Sequence, residues 1–349
     1  MPRLRTVSPS GPGIVRRRQG RGFSYLQDGE RVVDPLVLDR IRGLVIPPAW
    51  REVWICPWPH GHIQAVGSDE KGRRQYLYHP RWREQRDLAK HERILEVAAR
   101  LPRARRTVEA HLQAEGMPRE RALATAFRLL DLGFFRVGGE AYAEANGSYG
   151  LATIEREHVH LEGDLIVFEY VAKSGKERVV AVGDPAVRAA VTTLRRRRGG
   201  GRELLAYREA GHWRDVTSAD INGYVKDVVG GEVSAKDFRT WHGTVLAAVA
   251  LAVSTNVASS PTARRRAIAR ATAEVAAYLG NTPAVARASY IDPRVIDLFE
   301  DGITVAGALP RLGEDTALGH PATHGPMERA VLRMLRTAPA THRRLRAAA

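Results

Sequence analysis

The sequence predicts an α+β protein: a small β-rich N-terminal domain, then a larger, mainly helical domain with a three-stranded antiparallel sheet. Three observations lead there. Between Gly22 and Arg86 the pattern is short, turn-rich and alternating, as in VWICPWPHGHIQAVG and RRQYLYH, and a period of two marks half-buried strands. After Trp82 the apolar spacing becomes helical. Inside the helical part, three β-like runs are separated by Gly163-Asp164 and Ser174-Gly175, both hairpin-type turns.

Residues 1–20 read as a basic, disordered lead rich in Pro and Gly. Residues 21–86 form the first domain, with a helix over Pro35–Leu44 and aromatics at Tyr76 and Tyr78, whose spacing puts both rings on one strand face. The second domain spans 87–313. It opens with a helix over Leu88–Leu101 and another that Pro118 starts and Gly133 stops. Strands follow at His158–Leu161, Leu165–Val171 and Arg178–Val182, with Lys173 entering the second turn. A helix over Ala186–Leu194 leads into a basic, flexible loop, Arg195–Gly201. Further helices are predicted over Ala219–Val229, Asp237–Val253, Ala263–Tyr278 and Pro283–Tyr290. Residues 314–349 read as a basic, mobile tail with one helical stretch, Met327–Leu335.

Composition narrows the function classes. The 349 residues are 44% hydrophobic, enough for a sizeable core. No apolar run reaches the ~18 residues of a membrane span, and the N-terminus lacks the apolar centre of a secretory signal. The single cysteine, Cys56, leaves no internal disulfide or Cys-rich zinc site and fits a reducing cytoplasm. Lys plus Arg number 54 against 39 Asp plus Glu, a formal charge of +15 with a pI of 10.4. Such an excess suits a polyanion, whose condensed counterions are released on binding. An Arg-rich composition that only mirrors a GC-rich genome gives the same balance.

There is no GxxxxGK[ST] loop, no HExxH and no close set of acidic residues of the kind a metal-dependent nuclease uses. Metal-free chemistry on a phosphodiester needs a nucleophile, cations for the transition state and a proton donor for the leaving oxygen. LLDLGFFRVGGEAYAEANGSYG sets Arg136 between two Phe residues and a Gly pair. YVAKSGKERV sets Lys173 at a hairpin tip. SAKDFRTWHGT sets Arg239 in the first turn of an apolar helix, where the dipole disfavours a cation, with Lys236 just before it. NTPAVARASYIDP carries Tyr290. Taken singly, each has a plain alternative: an ion-paired arginine, a turn lysine, a helix-start arginine, a packed tyrosine.

In this order the segments resemble the type IB DNA topoisomerases, in particular the poxvirus-type enzymes and their bacterial relatives. The resemblance runs from Gly22 to about Ile296. It is carried by IPPAWREVWICPWPHGHIQAVGSDEKGRRQYLYHPRWR, LLDLGFFRVGGEAY, NGSYGLATI, VAKSGK, KDFRTWHGT and LGNTPAVARASYIDP. It implies the tyrosine recombinase/topoisomerase IB catalytic fold, with 87–313 as the catalytic domain and 21–86 as a DNA clamp. It makes Tyr290 the nucleophile, Arg136 and Arg239 the family's two arginines and Lys173 the donor to the leaving group. Asn281 falls where the poxviral enzymes carry histidine; asparagine donates a hydrogen bond but relays no proton, so its role is that of a stabiliser. His242 does not match that histidine and receives no catalytic role. Gln75, Tyr76 and Tyr78 resemble a strand laid in the major groove. Tyr142 matches a position near the scissile backbone. Arg73, Arg74 and Lys236 complete the expected DNA contacts.

The resemblance further implies a monomer clamped on double-stranded DNA in the cytoplasm of a bacterium, associated with the nucleoid. It would relax supercoils of both signs through a 3′-phosphotyrosyl intermediate, with no cofactor, ATP or metal. The alternative is a tyrosine recombinase or integrase with the same chemistry. Against it stand Lys236-Asp-Phe-Arg239, where recombinases show His-x-x-Arg, and the β-rich N-terminal region. An alternative of another class is a DNA-binding protein that has lost catalysis.

Overall fold

The computed structural model describes residues 3–132, 135–173, 175–255, 258, 260–314 and 320–337, without the side chains of Ala141 and Tyr142. The chain divides into two compact units, Met1–His91 and Glu92–Ala349. Among the described residues no helix is long and apolar enough to cross a membrane.

The first unit is a six-stranded sheet. Its elements are β1 (Ile14–Gln19), β2 (Gly22–Gln27), β3 (Glu30–Arg31), α1 (Pro35–Gly43), β4 (Arg51–Ile55), β5 (Ile63–Ser68) and β6 (Arg74–Tyr78), and the sheet order is β3-β2-β1-β4-β5-β6. Ile14, Ile41, Val53, Ile55 and Ala65 form its core. The expected disordered lead is corrected here: β1 pairs antiparallel with β2 and β4, and Arg5 bridges to Gly61. The run Arg16-Arg17-Arg18 looks solvated, but Arg16 is buried, its guanidinium donating to the carbonyls of Ile46, Pro47 and Trp50 at 3.3, 3.0 and 2.7 Å. A charge satisfied by carbonyls leaves no acidic partner for a sequence reader to find.

Helix α2 (Pro80–Leu112) runs past the expected end at Leu101 and straight through Pro102. Proline forfeits one helical hydrogen bond. The buried stripe of Leu101, Ala104, Val108 and Leu112 keeps the helix seated nonetheless. Next come α3 (Arg119–Leu130), α4 (Glu140–Asn146) and the three-stranded sheet β7 (Val159–Glu162), β8 (Leu165–Ala172) and β9 (Lys176–Val182), antiparallel throughout. Helix α5 (Pro185–Arg196) leads to the hairpin β10 (Ala206–Glu209) and β11 (His212–Asp215). Its tight turn places Ala210 at φ 46° and Gly211 at φ 83°. Alanine is a poor signal for positive φ, which hid this hairpin in the sequence.

The loop expected to be flexible over 195–201 is instead anchored: Arg197 is buried and donates to the carbonyls of Leu194, Gly201 and Leu204. Helices α6 (Ser218–Val229), α7 (Ala235–Val253), α8 (Pro261–Leu279), α9 (Pro283–Ser289), α10 (Pro293–Glu300) and α11 (Pro326–Thr337) complete the described fold. Ser260, Thr282 and Asp292 accept backbone amides at the starts of α8, α9 and α10, each followed by proline.

The expectation of a mobile tail from 314 is corrected for α11, whose Met327, Val331 and Leu335 are buried in the main core. Residues 315–319 and 338–349 lie outside the described ones. A polar cluster fastens this segment. Arg105 donates to both oxygens of Asp131 at 2.7 and 3.0 Å and to Glu328 Oε1 at 2.9 Å. Trp241 Nε1 donates to the same Glu328 oxygen at 2.7 Å. Burial tends to raise the Glu328 carboxyl, but the Arg105 charge prevails and holds it at about 2. Burial pushes the His324 imidazole down to about 3.

His324 is therefore neutral in the fold and binds a proton in the unfolded chain below its ordinary value of 6.5. Stability falls as pH drops from 6.5 towards 3, and Glu328 adds a loss between 4.5 and about 2. Between pH 8 and pH 5 the His324 contribution amounts to about 2 kcal/mol. Thermal unfolding of His324→Gln is expected to lose less stability over that window than the parent; parallel pH curves would refute the assignment.

Candidate active site

Helix α8 ends at Leu279, and Gly280 closes it in the left-handed conformation at φ 64°. The amides of Gly280 and Asn281 turn back to Ala277 and Ala276 at 3.1 and 2.8 Å. Carbonyls at a helix C-terminus lack intrahelical donors and carry the negative end of the macrodipole. Here three arginines from three distant segments take three successive carbonyls. Arg178 Nη2 donates to Tyr278 at 3.3 Å, Arg239 Nη2 to Leu279 at 2.6 Å and Arg136 Nη2 to Gly280 at 3.4 Å. Glycine suits position 280 through its φ of 64°, and a Cβ there would lie 2.6 Å from Arg178 Nη1 and push that guanidinium aside.

Each arginine is delivered by its own element. Arg136 follows the buried Phe135 and is pinned through its backbone, Leu151 donating to its carbonyl and Ala152 to that of Val137, both at 2.8 Å. The two segments pass so close that a Cβ on Gly150 would stand 2.4 Å from Gly138 Cα. Arg239 rides on α7. The capping box of Ser234 and Asp237 starts that helix at Ala235, so Arg239 lies on the second turn rather than the first, as the sequence suggested. It is only 2% exposed. Arg178 comes from β9, directly opposite Tyr170 of β8. The sequence reading missed it, because its partners are backbone groups a hundred residues away.

Tyr290 caps the end of α9, where its backbone passes against α7. Thr244 Oγ1 donates to its carbonyl at 3.3 Å, and a Cβ on Gly243 would come within 2.8 Å of the same oxygen. The Arg239 guanidinium lies 5.2 Å from the centre of the Tyr290 ring. Burial, then the neighbouring Arg136 charge, pull Arg239 down to about 10, while Tyr290 opposes them through charge and a hydrogen bond. At about 10 it is still cationic at neutral pH. Asn281 is oriented by Arg136, which donates to Oδ1 at 2.7 Å. Its Nδ2 is buried without a protein partner. The patch thus concentrates guanidinium charge and the unpartnered Asn281 amide beside one phenol, an arrangement suited to a tetrahedral oxyanion.

The structure brings together four of the residues singled out from the sequence: Arg136, Arg239, Asn281 and Tyr290. Lys173 is exposed at the β8–β9 turn, and among the described residues no hydrogen bond or ion pair joins it to the cluster; its neighbour Ser174 lies outside the described residues. The side chain of Tyr142, on α4, is likewise outside them. Lys236 is exposed on the first turn of α7. In the first unit, Tyr76 and Tyr78 are 41% and 37% exposed and stack on each other at 5.9 Å rather than on the core. Arg74 shares their exposed face of β6. Gln75 points to the other face and donates to Asp69 at 2.9 Å, as does Arg73 at 2.8 Å.

His242 is buried away from this cluster, 3.4 Å from Asp131. Asp131, His242 and His324 offer ligand-type atoms within 4.8 Å of one another. Arg105 already engages both Asp131 oxygens, while His242 Nε2 and His324 Nδ1 are buried without a hydrogen-bond partner among the described residues.

Residues 79–304 match the family described as "Eukaryotic DNA topoisomerase I, catalytic core", and residues 22–69 match "Bacterial DNA topoisomerase IB, N-terminal domain". The chain is 27% identical over 295 residues to the DNA topoisomerase 1B of Acanthamoeba polyphaga mimivirus, covering 83% of this chain and 88% of the relative. It is 28% identical over 108 residues to DNA topoisomerase 1B of vaccinia virus (strain Copenhagen), a stretch of 31% of this chain and 34% of that protein.

The Gly138–Gly150 contact gives a local test of how Arg136 is held. Gly150→Ala forces backbone against backbone and is expected to lower stability by about 1–3 kcal/mol in denaturant unfolding; an unchanged midpoint would show that the Arg136 segment is not pinned there.

Proposed function

We propose, because this chain belongs to the type IB DNA topoisomerase family of isomerases, that it relaxes supercoils of both signs in duplex DNA by breaking and resealing one strand. The observation that carries this reading is the Tyr290 phenol resting against Arg239, on the patch that Arg136 and Asn281 complete.

The Tyr290 oxygen attacks a backbone phosphorus. A bond forms between that oxygen and phosphorus, and the bond to the 5′-oxygen breaks. The strand is left joined to the protein through a 3′-phosphotyrosyl ester. A neutral phenol is a weak nucleophile; its proton leaves to water as the new bond forms, and the Arg239 guanidinium, 5.2 Å from the ring centre, offers a cation to the charge that develops. As charge builds on the non-bridging oxygens, Arg136 and Arg239 donate to them in forked geometry, and the unused Asn281 Nδ2 adds a neutral donor. The departing 5′-oxygen takes a proton from Lys173, since an ammonium can give one up where a guanidinium cannot. The exposed turn that carries Lys173 approaches the phosphate when DNA is seated. The downstream duplex then rotates, and the 5′-hydroxyl attacks the phosphotyrosine to reseal the strand. One ester is exchanged for another, so the cycle draws on no ATP.

The first unit serves as the other half of a clamp closed by a single chain around the duplex. Tyr76 and Tyr78 meet bases or sugars, while Arg73, Arg74 and Lys236 meet phosphate. Tyr142 contacts the backbone beside the scissile phosphate, and the protein works in the cytoplasm on nucleoid DNA.

On a supercoiled plasmid without any recombination site, the parent is expected to give a ladder of topoisomers. Tyr290→Phe should slow relaxation by at least ~10³-fold and leave no covalent adduct; a variant that relaxes as fast as the parent would refute the nucleophile. Asn281→Ala is expected to slow single-turnover adduct formation by ~10²-fold, the cost of losing one oxyanion donor, with DNA affinity little changed. A rate within twofold of the parent would leave Asn281 without its assigned role.

A further inference from the structure

Arg178 is the one member of the carbonyl-bound arginine trio that no motif assigned. It sits on β9 opposite Tyr170, five residues beyond Lys173 and on the strand that returns from the Lys173 turn. Its guanidinium reaches out of the sheet in two directions. Nη2 donates to the Tyr278 carbonyl, and Nη1 fills the space that a side chain at 280 would need. The buried Tyr170 faces Arg178 across the strand pair; burial raises its phenol, and the Arg178 charge pulls the other way. Arg178 therefore joins the β8–β9 hairpin, at the third pair from its turn, to the last turn of α8, the turn that supplies the carbonyls for Arg136 and Arg239 and leads into Asn281.

We propose that Arg178 is a positioning residue that locks the β8–β9 hairpin to the C-terminus of α8 and so fixes where Lys173 stands relative to the phosphate under attack. This rests on the readings of Tyr290 as nucleophile and Lys173 as acid. An anchor at the third pair from the turn leaves only a short free end to carry Lys173, and misplacement of a reacting group by ~1 Å can cost ~10²-fold in rate. Arg178 suits the task because its planar fork sets one N–H on the Tyr278 carbonyl and the other nitrogen over Gly280 in fixed directions, which the single ammonium of lysine does not.

The test separates this role from general support of the fold. Single-turnover formation of the Tyr290 adduct is measured on an ordinary duplex and on one whose scissile 5′-oxygen is replaced by sulfur. A thiolate leaves without the proton that an alkoxide needs, so the sulfur duplex bypasses Lys173. Arg178→Met is expected to be ~10²-fold slower than the parent on the oxygen duplex and within about threefold of it on the sulfur duplex, mirroring Lys173→Ala. Equal slowing on both duplexes, or no slowing on the oxygen duplex, would overturn the proposal. Arg178→Lys, which keeps the charge but not the fork, carries the same comparison if Arg178→Met is too unstable to assay. Failure of the underlying readings shows up separately. A parent that forms no adduct contradicts Tyr290 as nucleophile, and a Lys173→Ala variant that sulfur does not rescue contradicts Lys173 as acid; either result removes the proposal as well.

Discussion

The last turn of α8 offers three consecutive carbonyls, and three arginines converge on them. The rest of the site depends on this arrangement. Guanidiniums crowded together repel one another, and the usual remedy is a carboxylate. A helix C-terminus supplies a weaker one, equivalent to roughly half a negative charge. It is enough to gather the cations and too little to neutralise them. The depressed Arg239 value of about 10, caused first by burial and then by Arg136, expresses that imbalance. A phosphodiester entering the patch meets charge that is already oriented and not yet compensated, the condition for stabilising a transition state rather than a ground state.

Elsewhere the protein treats buried arginines differently. Arg105 is matched by Asp131 and Glu328, Arg128 by Asp184 at 2.7 Å, and Arg294 by Asp292 at 2.7 Å and Glu92 at 2.8 Å. Arg16 and Arg197 are enclosed by carbonyls as structural fasteners. A formal excess of +15 is thus spread unevenly through the molecule. Where arginine only holds structure, carboxylates or several carbonyls surround its guanidinium. Where it faces Tyr290, a phenol and a neutral amide stand in place of carboxylates. The presence of Asn281 fits this pattern, since its carbonyl oxygen takes one Arg136 donor and leaves an N–H of its own pointing at no protein group.

Much of this was legible in the sequence, and the rest was hidden for definite reasons. The β7–β9 sheet announced itself through alternation and two turn signals, and α8 and α9 through Ser260-Pro261, Gly280 and Thr282-Pro283. Arg136, Arg239 and Tyr290 stood in short, specific contexts, whereas Asn281 came only with the family resemblance. Helix α11 was legible as a helix from Met327, Val331 and Leu335, but its docking was not, because Glu328 meets Arg105 and Trp241 only in three dimensions. Strand β1, the anchored loop at Arg197 and the role of Arg178 share one cause. In each, the partner of the arginine is a backbone carbonyl, and every residue has one, so composition and spacing say nothing about which will be used. Helix α2 escaped through the opposite error: Pro102 is a valid stop signal that the buried stripe on either side overrides.

The central claim is that the charge gathered at the end of α8 serves one particular phenol. The most direct measurement traps the protein on labelled duplex DNA, digests the adduct with trypsin and locates the nucleotide by mass spectrometry. The account predicts the added mass on the peptide spanning 288–294, at Tyr290. Nucleotide attached to any other residue, or a protein that relaxes DNA with no covalent attachment at all, would contradict it.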